Sequence, residues 1–136
     1  MIFWIKISNK MTGIVICHKS LAHELLQTAR AIVGHQNDLY AFSNDKITGE
    51  QLVKKIEEFL VSQNNPEDVV LMVDLRGGNC WSVARMVKRM HPGHYVLSGV
   101  NLPMLFSFLT KKDRLSFEAL IKTMEEDAHR GIILDK

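Results

Sequence analysis

Apolar residues recur along this chain in two rhythms: short unbroken runs, and longer stretches where they return every third or fourth position. The runs Ile14–Cys17, Leu39–Phe42, Val69–Val73 and Tyr95–Val100 predict strands, being short, rich in β-branched or aromatic residues and bounded by turn residues. Between them, Leu21, Leu25, Leu26, Ala29, Ile32 and Val33 predict the inward face of a first helix, with Gly34 as its stop. Leu52, Val53, Ile56, Phe59 and Leu60 predict the same for a second helix. Thr48 and Gln51 have the spacing of a capping box at its start, and Asn64-Asn65-Pro66 breaks the chain after it. A third helix is expected from about Trp81 to Met90, stopped by His91-Pro92-Gly93. A fourth is entered through Asn101 and Pro103 and carries Leu105, Phe106 and Leu109. Ser116 caps a fifth, with Phe117, Leu120, Ile121 and Met124 inward, and Ile132-Ile133-Leu134 predicts a last strand.

The resulting order, β-α-β-α-β-α-β-α-α-β, predicts one α/β domain with a single doubly wound, mostly parallel sheet and helices on both faces, because each parallel pair needs a crossover. Val69–Val73 is continuously apolar and is expected at the centre, covered on both sides. No internal repeat, low-complexity tract or domain-length linker interrupts the pattern.

Composition adds bounds. With 136 residues and 46% hydrophobic content, the chain can bury a full core. A net charge of +2, without a basic run interleaved with aromatics, argues against nucleic acid as a partner. No apolar run approaches the roughly 20 residues that span a bilayer. Met1–Lys10 lacks an early basic region and is not read as a signal peptide. Cys17 and Cys80 are too few for a disulfide scaffold and are read as reduced thiols, close enough to the strand ends to lie near each other.

In doubly wound folds ligands bind beyond the carboxyl ends of the strands, near the point where strand order reverses. Strand one ends in His18, strand three in Asp74 followed by Arg76-Gly77-Gly78-Asn79, and strand four in Gly99-Val100-Asn101-Leu102-Pro103. If strands one and three are neighbours, Asp74 can fix one imidazole nitrogen of His18 and leave the other free to attack an electrophile. The glycine pair would let backbone amides approach a bound anion at a helix N-terminus. On spacing alone an equal reading stands: Asp74 caps the Gly-Gly turn and His18 is an ordinary loop histidine.

Three blocks shift that balance. Thr12-Gly13-Ile14-Val15-Ile16-Cys17-His18 with Leu21-Ala22-His23-Glu24-Leu25-Leu26, then Val73-Asp74-Leu75-Arg76-Gly77-Gly78, then Gly99-Val100-Asn101-Leu102-Pro103-Met104-Leu105 stand in order. Together they resemble the mannose-family (mannose/fructose/sorbose) IIA component of the bacterial phosphoenolpyruvate-dependent sugar phosphotransferase system, the PTS. The likeness runs from about Met11 to Gly131. It implies a cytoplasmic phosphocarrier with a phosphohistidine intermediate. His18 would accept a phosphoryl group from phospho-HPr and pass it to a IIB protein or domain that serves a IIC/IID permease. Asp74 matches the family's histidine-orienting aspartate. The turns holding Lys19, Ser20, Gly77, Gly78 and Asn79 are expected to receive the phosphate, with Arg76 as a further contact. No cofactor and no metal are expected. The family is typically dimeric, which makes Ile132–Leu134 a strand packing across a homodimer. Residues 11–136 would be the IIA domain, and Met1–Lys10 an upstream extension or a misassigned start.

The chain departs from the family pattern in two places. Lys19 stands where a glycine usually follows the histidine, and Asn79-Cys80-Trp81 replaces the usual Ser or Thr and then Pro after Gly-Gly. Asn79 is still expected to cap the third helix through its side-chain oxygen. These departures keep open a regulatory module of the same ancestry that senses phosphorylation without feeding a permease. A flavodoxin-like nucleotide or flavin binder is disfavoured, since Cys17-His18-Lys19-Ser20 contains no glycine. Among the remaining histidines, His23 is expected at the surface, His35 and His129 near helix ends, and His91 and His94 as solvated loop residues. Met72, Met86, Met90, Met104 and Met124 are expected to fill the core.

Overall fold

The computed structural model describes residues 10–34 and 38–136. The N-terminal extension, apart from Lys10, and His35 lie outside them. Four strands, β1 (Met11–Cys17), β2 (Leu39–Ser43), β3 (Asp68–Val73) and β4 (Tyr95–Ser98), form one parallel sheet in the order β2-β1-β3-β4. Five helices, α1 (Leu21–Val33), α2 (Gly49–Ser62), α3 (Asn79–Met90), α4 (Leu102–Lys111) and α5 (Phe117–Arg130), connect and cover them.

Alternation along the central strands divides the core in two. Val15, Cys17, Val70 and Met72 face α1, α4 and α5, where Leu26, Leu105, Phe108 and Leu120 pack. Ile14, Ile16, Val69, Leu71 and Val73 face α2 and α3, against Leu52, Ile56, Val83 and Val87. β1 and β3 are thus buried on both sides, the reason that their sequences read as unbroken apolar runs. β1 tolerates a glycine because the layers close on it: a Cβ at Gly13 would stand 2.6 Å from Leu39 Cδ2 and 3.0 Å from Met72 Cε.

Three helices carry side-chain caps. Thr48 and Gln51 form the expected capping box on α2. Ser116 accepts from the Ala119 amide on α5. Asn101 Oδ1 accepts from the Met104 amide at 2.9 Å, while its Nδ2 donates to the Ala128 carbonyl at 3.1 Å. Asn101 therefore starts α4 and ties it to α5.

Several expectations need correction. β4 stops at Ser98 rather than Val100, because Gly99 turns away with φ +78°. β1 starts earlier than Ile14, pairing Met11, Thr12 and Gly13 with Asp68, Val69 and Val70. α3 starts at Asn79, two residues before Trp81, and Gly78 occupies the N-cap, so Asn79 does not cap it. Leu21 and Ile32 are exposed, as are Met86 and Met90. At about 100° per residue each of these four falls roughly 80–120° away from the buried stripe of its helix. Ile132, Ile133 and Leu134 form no strand within the chain and are 81%, 73% and 82% exposed.

His94 is not the solvated loop residue expected, and His91 is only partly exposed. His94 is 3% exposed, stacks on His91 with ring centroids 4.6 Å apart, and leaves its Nδ1 without a hydrogen-bond partner. His91 in turn bonds Glu57 at 2.8 Å. Burial first, then the neighbouring His91, pushes the His94 pKa down to about 4 from 6.5, against a hydrogen bond to the Pro66 backbone that opposes the shift. The unfolded chain then takes up this proton before the folded one does, so acid favours unfolding between these two values. Chemical denaturation should give a stability that falls from pH 6.5 towards pH 4, by up to about 3 kcal/mol from this residue. His94→Phe should flatten that fall.

Candidate functional site

β1 and β2 run to one side of the sheet and β3 and β4 to the other, so strand order reverses between β1 and β3. Ile16 pairs with Val73 at the end of the shared ladder, which brings the residues just beyond it, His18 and Asp74, together. Asp74 Oδ2 accepts the His18 backbone N–H at 2.9 Å and meets the ring Nδ1 at 2.7 Å. Asp74 Oδ1 accepts the Leu75 amide at 2.9 Å. Burial raises the Asp74 carboxyl, but the His18 donors and the Leu75 amide outweigh it and hold the group below its ordinary value. It is ionised at neutral pH, so in the neutral imidazole Nδ1 carries the proton it shares and Nε2 keeps a lone pair. The His18 side chain is 45% exposed and that of Asp74 only 10%, so the pair presents the ring outward from a covered carboxylate.

The surrounding turns are shaped by backbone conformation. Gly77 adopts φ +85°, which glycine takes without strain. Gly78 lies close beneath the ring, where a Cβ would stand 3.8 Å from His18 Cε1. Lys19 adopts φ +54°, the left-handed conformation that explains why glycine suits the position. Its Nζ extends into solvent 3.9 Å from Asp45. Ser20 is the N-cap of α1, but its side chain makes no capping bond, and Gly78 offers α3 none. Among the described helices, the two without side-chain caps are the two that begin beside His18. The Leu21 amide donates to the His18 carbonyl at 3.3 Å, and the remaining amides of these two first turns are left to another acceptor.

The sheet end also holds features that the sequence pattern did not single out. Asn79 Oδ1 accepts from Asn44 Nδ2 at 3.4 Å, linking the start of α3 to the loop after β2. Cys80 Sγ lies 3.8 Å from His18 Nδ1. Burial, then the Asp74 charge, pushes the Cys80 thiol up to about 11; burial, then Asp74 and Cys80, pushes Cys17 to about 12, so both are neutral thiols near pH 7. The 62 positions that separate Cys80 from His18 are closed by the pairing of β1 with β3. Arg76 is exposed and lines a cavity of about 430 Å³ with Ser98, Gly99, Asn101 and Glu125, and among the described residues no hydrogen bond or ion pair joins it to the His18–Asp74 pair.

The family model for the PTS system fructose IIA component, EIIA-man, matches residues 13–125. The chain belongs to that family. The mannose-specific EIIAB component of the PTS in Escherichia coli K12 is 28% identical over 119 residues, 85% of this chain. This IIA chain spans 36% of that relative's length. Its fold is similar to the EIIA component from Streptococcus agalactiae, with TM-score 0.83, 19% identity, and 90% and 95% of the two chains covered. It is also similar to the mannose/sorbose-specific IIA subunit from Enterococcus faecalis, with TM-score 0.79, 20% identity and coverage of 93% and 96%. The IIA fold thus has the single doubly wound parallel sheet expected from the sequence. No helix among the described residues is long and apolar enough to cross a membrane.

The Asp74 contact predicts one tautomer of His18. Proton–nitrogen correlation spectra of the neutral ring should find the proton on Nδ1 in the native chain. In Asp74→Ala it should move to Nε2, with the rest of the spectrum retained.

Proposed function

We propose that this IIA chain is a phosphocarrier that takes a phosphoryl group on His18 Nε2 from phospho-HPr and hands it to a IIB protein or domain. The IIB partner then serves a IIC/IID permease during sugar uptake. The observation that carries this reading is the 2.7 Å contact of Asp74 with Nδ1, which leaves Nε2 as the nucleophilic nitrogen on a ring 45% exposed. In the step, the bond from phosphorus to the donor's ring breaks as the bond to Nε2 forms. Nδ1 keeps its proton, so the phosphorylated ring is cationic, and the Asp74 carboxylate balances it. Little covalent help is needed in such transfers, and positioning with charge stabilisation does the rest.

The arriving group carries nearly two negative charges. The amides at the starts of α1 and α3, in the turns of Lys19-Ser20 and Gly77-Gly78-Asn79, are suited to receive it, the Gly78 amide by giving up its long 3.4 Å bond to the Leu75 carbonyl. The Ser20 hydroxyl is uncommitted as a cap and can donate as well. Arg76 contributes through the field of the adjoining cavity. Leu21 and Leu75, exposed apolar residues next in line to this site, give a protein partner something to bury. The function is that of the cytoplasm, where HPr and IIB are found.

The homodimer belongs to the same proposal. β4 is an edge strand, paired only with β3, and the exposed Ile132–Leu134 segment leaves α5 with no cover of its own among the described residues. A segment of this kind adds to the free β4 edge of a second copy.

Incubation with isotopically labelled phospho-HPr tests the carrier. The native chain should take up label and release it to a purified IIB, and His18→Ala should take up none. Asp74→Ala should fold but accept label roughly 10²-fold more slowly, the cost of a misplaced nucleophile. Label on His18→Ala equal to the native level would end this reading. Removing residues 132–136 should turn a dimer into a monomer in sedimentation analysis.

A further inference from the structure

His18, Asp74 and Cys80 bring an imidazole nitrogen, a carboxylate oxygen and a sulfur within 4.8 Å of one another. We propose that these three side chains form a Zn²⁺ site, and that the metal and the phosphoryl group exclude each other on His18. Nδ1 stands 2.7 Å from Asp74 Oδ2 and 3.8 Å from Cys80 Sγ. Zinc holds nitrogen and oxygen at about 2.0–2.1 Å and sulfur at about 2.3 Å with tetrahedral angles. Those bond lengths place neighbouring ligand atoms about 3.3–3.5 Å apart. The sulfur is already near that spacing, and the nitrogen–oxygen edge needs to open by roughly 0.6 Å. A mixed nitrogen, oxygen and sulfur set selects a borderline-soft ion such as Zn²⁺ over Mg²⁺ or Ca²⁺, which take oxygen ligands. Three protein ligands leave the fourth position to water, on the side where the ring is exposed.

The exclusion follows from where the ring proton goes. In the metal-free pair the proton is on Nδ1 and the lone pair on Nε2. Zn²⁺ takes the Nδ1 lone pair, so the neutral ring moves its proton to Nε2. The Cys80 thiol gives its proton to solvent and binds as thiolate. Net, one Zn²⁺ enters and one proton leaves. A protonated Nε2 has no lone pair with which to attack phosphorus. The sulfur comes from Cys80, the second residue of α3 and fully buried beside the ring. The metal site stands on the three side chains alone, whereas the exclusion rests on His18 being the phosphoryl acceptor.

Two measurements on the full chain test this. In the first, Zn²⁺ is titrated against a chromogenic chelator, and Co²⁺ is added to a parallel sample as a spectroscopic stand-in. One Zn²⁺ per chain is expected, with a thiolate-to-cobalt charge-transfer band. Cys80→Ser should lose the band and weaken Zn²⁺ at least tenfold, and Cys80→Ala should do the same, with circular dichroism confirming that both fold. Failure of the native chain to bind Zn²⁺, or equal binding by both variants, overturns the site. In the second, labelling from phospho-HPr is compared with and without one equivalent of Zn²⁺. Zinc should block the native chain and leave Cys80→Ser at its metal-free level. Equal labelling of the native chain in both conditions overturns the exclusion. A native chain that takes no label even without metal speaks against the carrier role, and the cobalt band still decides the site.

Discussion

One carboxylate organises the working end of this molecule. Asp74 accepts three N–H groups, two of them from His18, and this fixes both the backbone turn after β1 and the rotation of the ring. Such an arrangement requires β1 and β3 to be adjacent, parallel and in a register that ends both strands together. The register is held far from the site, by the apolar residues that each strand turns to both layers. A slip of one position would exchange the two layers along the whole strand, so the core fixes the geometry of the pair.

The sequence reveals the sheet and its order of elements because the central strands are buried on both faces and the helices on one. Those two patterns are hard to confuse. What it hides is angular and spatial. Leu21 and Ile32 follow the helical spacing of α1 loosely enough to look inward, yet lie off its buried stripe. His94 sits beside a Pro-Gly turn, where polar residues are usually wet, but the ring stacks under His91 and leaves solvent. Ile132–Leu134 is apolar enough for a strand and pairs with none among the described residues. The His18–Asp74 pair was legible only as two strand ends that topology could join, and the family blocks gave that join its weight. Cys80 was legible as lying near the strand ends, but its 3.8 Å approach to the imidazole was not, because that distance depends on how α3 packs.

Capping is distributed unevenly, and the distribution separates structure from chemistry. α2, α4 and α5 end their N-termini with Thr48, Asn101 and Ser116, which satisfy amides that would otherwise face water. Asn101 goes further and holds the α5 carbonyl of Ala128, so the block in which it sits is explained by packing alone. Among the described helices, α1 and α3 lack such caps, and both begin beside His18. The stacked pair His91 and His94 lies past the C-terminus of α3, at the opposite end from His18.

The ring of His18 is walled on its inner side by Asp74, Gly78 and Cys80 and reachable only from the other. Under the carrier reading, in-line displacement at phosphorus needs the incoming and departing atoms on opposite faces of the phosphoryl group, so a donor and an acceptor each arrive through that single opening. They cannot occupy it at once. Under the carrier reading, the cycle is of the ping-pong kind: the first protein departs before the second docks, and their footprints overlap around the same imidazole.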